Sequence, residues 1–134
     1  MVAEHAGLAD PRGRVDATAR AVIESAADAI VAFGTDRTVL LCTDLHAGNV
    51  LSSQREPWLV IDPKPFMGDP AFDPAQHMLN CDERMATDPK GLSLRLAALL
   101  ELEVERVKLW LFARCAQESL HDLTMRVPAV RLAP

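Results

Sequence analysis

Apolar residues along this chain fall into three patterns, and each predicts a different element. From Asp16 to Phe33, Ala19, Val22, Ile23, Ala26, Ala27, Ile30 and Val31 recur at steps of three and four, the period of a helix with one buried stripe. Gly34 follows where such a helix would end. Thr38 to Cys42 is a β-branched and aliphatic run, too brief for a helix, and is expected to be a buried strand. Val50-Leu51 and Trp58 to Ile61 are apolar runs separated by the polar turn Ser52 to Pro57, which predicts a small hairpin. Leu92 to Leu102, and then Val104 to about Leu123, carry Leu, Ala, Glu and Arg at helical spacing. They predict two packed helices, the second burying Val107, Trp110, Leu111, the stem of Arg114, Cys115 and, next in the series, Leu120.

The intervening segments lack a period. Pro63, Pro65, Gly68 and Pro70 punctuate the stretch from Asp62 to Pro74, which is expected to be an ordered loop without regular structure. Asp73 followed by Pro74 has the form of a helix start, with Asp73 as N-cap, for a helix running to about Cys81. Asp82 to Gly91 reads as a polar, mobile connection, and Thr124 to Pro134, with two prolines, as a tail. The fold class expected is α+β: mainly helical, with a small β-hairpin carrying a loop.

Composition narrows the partners. At 134 residues the chain suits one domain, and 49% apolar with 25% charged residues lies in the globular range. A net charge of −5 with no Lys/Arg cluster argues against nucleic acid. No run approaches the roughly 20 apolar residues of a membrane span, and the first residues lack the form of a secretory signal, so a cytoplasmic protein is expected. Cys42, Cys81 and Cys115 are odd in number and widely spaced, and are read as reduced, mostly buried thiols.

The chemistry concentrates in Asp44-Leu45-His46-Ala47-Gly48-Asn49 and in Asp62, at the end of the next apolar run. Asp44 can accept the proton of an attacking hydroxyl, while Asn49 and Asp62 offer oxygen to a hard cation such as Mg²⁺. That trio reads as a phosphoryl-transfer site, although a lone loop Asp is more often a turn former or cap. His46 could touch phosphate or brace the loop. Gly48 could serve a positive φ, a tight turn or the close approach of a ligand. Lys64 could reach a phosphate or be a solvated charge. Asp73 could cap its helix or accept N–H groups from the loop, which would make the site rigid without touching substrate.

The segments Leu40 to Leu51, Trp58 to Lys64 and Gly68-Asp69-Pro70-Ala71-Phe72-Asp73 together resemble the aminoglycoside phosphotransferases, and within them the streptomycin 6-kinase and hydroxyurea phosphotransferase branch. The resemblance extends more weakly along the helix from Glu105-Arg106 to Arg114, where that branch also has an Arg followed by a Trp. It implies a protein-kinase-like fold with ATP and Mg²⁺ as cofactors. It implies Asp44 as catalytic base, Asn49 and Asp62 as metal ligands, and Asp73 as support for the loop. Cys42 and Thr43 depart from the family's usual His-Gly before the Asp, and Pro74 replaces its usual Leu.

Nothing before Leu40 reads as the family's N-terminal β-lobe with its phosphate-gripping Lys. Residues 1–123 are therefore expected to form a C-terminal lobe alone, and 124–134 a tail. The function expected is ATP-dependent phosphorylation of an alcohol on an aminoglycoside-like small molecule. The other reading is a non-catalytic remnant, a helical binding or dimerisation module whose lobe-facing surface is covered by a partner chain or a second copy. A metal hydrolase using the same oxygens would need further ligands.

Overall fold

The computed structural model describes residues 17–34 and 37–134. Asp16, the expected start of the first helix, and the N-terminal segment lie outside them. Helix α1 spans Ala17–Phe33 and strand β1 Val39–Leu41. A single 3₁₀ turn at Ala47–Asn49 leads into β2 (Val50–Ser52), followed by β3 (Trp58–Val60) and β4 (Phe66–Gly68). Five further helices complete the order: α2 (Phe72–Met78), α3 (Asp82–Thr87), α4 (Pro89–Leu100), α5 (Val104–Glu118) and α6 (Arg126–Leu132).

Helix α5 is the axis of the core. Val107, Leu111 and Cys115 recur along one of its faces and are fully buried, against Ala75 and Met78 of α2, Ala97 of α4, Ala129 and Leu132 of α6 and Ala26 of α1. Fully burying a side chain such as Leu111 contributes about 1.5–3 kcal/mol. Helix α4 starts one turn earlier than Leu92, because Asp88 accepts the Gly91 N–H at 2.9 Å and Pro89 fills the first helical position. Helix α1 ends as its sequence indicated, with Gly34 at φ +71°. Its buried stripe is narrower than the periodicity implied: Ala26 and Ile30 are buried, and Val31 is exposed.

The strands form two antiparallel ribbons. β2 and β3 make the expected hairpin, with Val50 opposite Val60 and Ser52 opposite Trp58. The second ribbon corrects the reading of Asp62 to Pro74 as irregular, since Phe66-Met67-Gly68 pairs with β1, Val39 opposite Gly68 and Leu41 opposite Phe66. The prolines punctuate this segment without removing the three residues that make the ladder. β1 is not a buried strand, because its outer partner is this two-stranded edge: Leu41 is buried but Leu40 is 70% exposed.

Two other expectations fail. Asp82 to Gly91 is not a loose connection; it contains α3, with Asp82 and Glu83 at the positive end of the helix and Met85 buried in the core. The segment 124–134 is not a tail, because α6 packs Pro128, Ala129 and Leu132 inward, and the Arg131 guanidinium donates to the Ala86 carbonyl at 2.5 Å. Pro128 is tolerated because it sits in the first turn, where no intrahelical N–H bond is required. Helix α2 likewise stops at Met78, short of Cys81, and α5 at Glu118, short of Leu123.

Candidate active site

The loop from Cys42 to Asn49 runs from one ribbon to the other and is held at three points. Beneath it, the Asp73 carboxylate accepts two successive backbone N–H groups, Cys42 at 2.8 Å and Thr43 at 2.9 Å. Asp73 therefore lies within the first turn of α2 and turns outward to the loop, while Ala71 occupies the N-cap position. Alongside, Lys64 donates its N–H to the Cys42 carbonyl at 2.9 Å, and its own carbonyl accepts the Thr43 hydroxyl at 2.5 Å. At the far end, Ile61 donates to the Asn49 carbonyl at 2.8 Å. The hairpin and the segment that follows it thus deliver 61–64 to the loop, as their apolar spacing indicated.

Thr43 adopts φ +55°, a left-handed conformation that costs a β-branched residue roughly 1–2 kcal/mol. A glycine would take it freely. Here the two bonds from Asp73 and Lys64 hold the threonine in place, so the loop keeps its turn without the His-Gly pair of the resemblance. Burial, followed by the charge of Asp73, pushes the neighbouring Cys42 thiol up.

Within this frame the Asn49 side-chain N–H donates to the Asp44 carbonyl at 3.0 Å. That orientation uses the amide nitrogen inside the loop and leaves the oxygen end as an acceptor. Asp44 meets the Lys64 ammonium at 2.5 Å and the His46 imidazole at 3.8 Å. The hydrogen bond from Lys64, outweighing partial burial and aided by the Lys64 and His46 charges and by Asn49, holds the Asp44 carboxyl below its usual range. Asp44 raises the Lys64 ammonium in return, with a smaller contribution from the Asp62 charge. Asp62 is exposed, at φ +48°.

The structure supplies a loop-bracing contact for His46, whose Nδ1 accepts the Gly48 N–H at 3.1 Å. The same contact explains Gly48. Its φ is not left-handed, and a Cβ there would lie 2.9 Å from the His46 ring. Among the described residues, no group of three or more His, Cys, Asp or Glu side chains converges on a metal position. The Ile61-to-Asn49 bond sets the segments of Asn49 and Asp62, the expected Mg²⁺ ligands, side by side; Mg²⁺ commonly takes one or two protein oxygens and completes its shell with water and substrate phosphates.

Leu45, His46 and Ala47 line one side of an open, largely apolar groove of about 870 Å³, with Trp58, Leu96 and Leu100 also in its lining. On the opposite flank lies a hub that pattern reading did not find. Asp69, 8% exposed, accepts the Ala71 N–H at 2.9 Å and the Trp110 indole N–H at 2.6 Å, and pairs with Arg106. Arg106 also donates to the Gly34 carbonyl, and Trp110 packs edge-on against Phe72 at 5.2 Å. Burial alone would raise Asp69; Arg106 and the Ala71 and Trp110 donors outweigh it and lower the carboxyl. In the sequence Asp69, Arg106 and Trp110 stand within the segments of the family resemblance, and Arg106 and Trp110 are spaced i, i+4 on one helix face.

Compared with known proteins, residues 3–122 match the family described as aminoglycoside/hydroxyurea antibiotic resistance kinase. The chain belongs to that family. It is 37% identical over 122 residues to a hydroxyurea phosphotransferase of Kitasatospora aureofaciens, an alignment covering 88% of this chain and 35% of the relative. It is 38% identical over 131 residues to a streptomycin 6-kinase of Streptomyces griseus, covering 92% and 40%. A streptomycin 6-kinase of Streptomyces glaucescens is 39% identical over 126 residues, covering 88% and 39%. The chain thus spans less than half the length of these relatives. No solved structure matches it significantly. No helix among the described residues is long and apolar enough to cross a membrane.

Proposed function

We propose that this chain is the acceptor-activating and magnesium-binding lobe of a protein-kinase-like phosphotransferase that moves the γ-phosphoryl group of ATP to a hydroxyl of an aminoglycoside-like or hydroxyurea-like small molecule. The observation that carries the reading is the grip of Asp73 on the loop together with the Asn49 bond to the Asp44 main-chain carbonyl, which tie the amide to the residue whose carboxylate Lys64 holds. Such transfer needs alignment and charge stabilisation more than covalent chemistry.

Asp44 aligns the acceptor hydroxyl and accepts its proton as the new O–P bond forms. Asn49 Oδ1 and the Asp62 carboxylate would hold Mg²⁺, which when bound neutralises charge on the phosphate oxygens. Asp73 keeps the start of the loop in register. Ahead of β1 the described residues provide one helix and a connector, so we assign the grip on the nucleotide base and its α- and β-phosphates to residues outside them or to a second chain. The test is incubation with Mg·ATP and either streptomycin or hydroxyurea, with phosphorylated acceptor read by mass spectrometry. Product from the native chain and none from Asp44→Asn supports the assignment; bound nucleotide without product from either acceptor would exclude both as substrates.

One observation favours the second reading. Leu40, Phe66 and Met67, at 70%, 68% and 65% exposure, share the β1–β4 ribbon and leave an apolar edge of the kind that marks a binding surface. A non-catalytic binding or dimerising module would use that edge, and would show concentration-dependent association in sedimentation that Met67→Lys abolishes.

A further inference from the structure

Resting on the phosphotransfer reading above, we propose that Lys64 is a catalytic residue of this site, whose ammonium grips the transferring phosphoryl group and bridges it to Asp44. The backbone of Lys64 is pinned on both sides, its N–H to the Cys42 carbonyl and its carbonyl to the Thr43 hydroxyl, the two residues that precede Asp44. The pinning fixes where the side chain starts, and its ammonium ends 2.5 Å from Asp44 Oδ2.

An ammonium has three donors, and the bond to Asp44 uses one. The Lys64 side chain is 60% exposed, so its remaining donors are open to solvent and can be taken by a phosphate. Two residues earlier on the same segment stands Asp62, the candidate metal ligand. A single short stretch of chain therefore delivers a metal ligand and a fixed cation to the same face as the candidate base. Stability gives little reason for the arrangement, since exposed ion pairs typically contribute between nothing and about 1 kcal/mol.

In the step itself, the acceptor oxygen bonds to phosphorus as the bond from phosphorus to the bridging oxygen breaks. The electron pair leaves with the nucleoside diphosphate, and the hydroxyl proton passes to Asp44. Lys64 stays protonated throughout and shares its donors between the equatorial phosphoryl oxygens and Asp44, holding the phosphorus over the hydroxyl that Asp44 orients.

The experiment is isothermal titration of Mg²⁺-tripolyphosphate and Mg·ATP into the native chain and the variants Lys64→Met, Lys64→Arg and Asp62→Asn, with thermal unfolding of each to verify the fold. Loss of a charge-assisted bond predicts binding weakened roughly tenfold or more in Lys64→Met. Lys64→Arg, which keeps the charge, should stay within about threefold of the native chain, a rescue that a merely structural role would not produce. Native-like binding by Lys64→Met while Asp62→Asn loses it would overturn the role of Lys64 and leave the phosphotransfer reading standing. Equal losses in Lys64→Met and Lys64→Arg would overturn it too. No binding by the native chain at millimolar ligand would remove both.

Discussion

Around α5, Val107, Leu111 and Cys115 lose all contact with water to four neighbouring helices, whereas in the two ribbons that carry the candidate site Leu41 is the only buried strand residue. The ribbons are positioned by polar links instead: Asp73 to the loop, Thr43 to Lys64, Asn49 to Asp44. Burial is non-directional and tolerates small shifts, while hydrogen bonds of 2.5–3.0 Å fix atoms to a fraction of an ångström. The helical region therefore sets whether the chain folds, and the ribbon region sets whether the site is assembled. Asp69 joins the two, since it belongs to the segment after β4 and binds Arg106 and Trp110 on α5.

The sharpest way to break the comparison is to cut at that joint. Asp69→Ala strips the buried Arg106 guanidinium of its carboxylate and should cost about 3–5 kcal/mol in denaturant unfolding, the largest loss of the set. Leu111→Ala opens a cavity in the helical region and should cost about 2–5 kcal/mol, with the affinity of the folded fraction for Mg²⁺-tripolyphosphate unchanged. Asp73→Ala should do the reverse: about 1–3 kcal/mol of stability, because two N–H groups lose their acceptor, together with loss of phosphate binding. Similar stability and binding losses in Leu111→Ala and Asp73→Ala would erase the distinction.

The smallest effect is one of pH. Asp69 is held below its ordinary range in the folded chain, so it binds protons more readily when unfolded. Its contribution is complete above the unfolded value of about 4 and is lost as pH falls through the folded one. Stability of the native chain should therefore drop on acidification below about pH 4, and that of Asp69→Asn should drop less steeply, as followed by circular dichroism.

The elements that could be read from sequence were those whose signal is local. The period of three and four matched α1, α4 and α5, and two apolar runs around a polar turn matched the β2–β3 hairpin; of the two roles considered for Asp73, it accepts the loop N–H groups, while the N-cap position falls to Ala71. What escaped depended on distant partners. Phe66-Met67-Gly68 is a strand only because Val39–Leu41 lies beside it. Met85 is core because α4 and α6 both pack against α3, and Pro128 looks like a breaker until its place in the first turn is known. The buried state of Asp69 follows from Arg106 and Trp110, about 40 residues away, for which no spacing rule exists.

The clamp on the loop has a further consequence. Two consecutive N–H groups converging on one carboxylate beside a left-handed residue form a small anion nest, and in this chain the nest is filled from within. Asp73 thus supports the loop by acting as its built-in anion. Emptying the nest with Asp73→Gly leaves a receptor sized for a small free carboxylate, so formate or acetate added to that variant should occupy it and restore part of the lost phosphate binding.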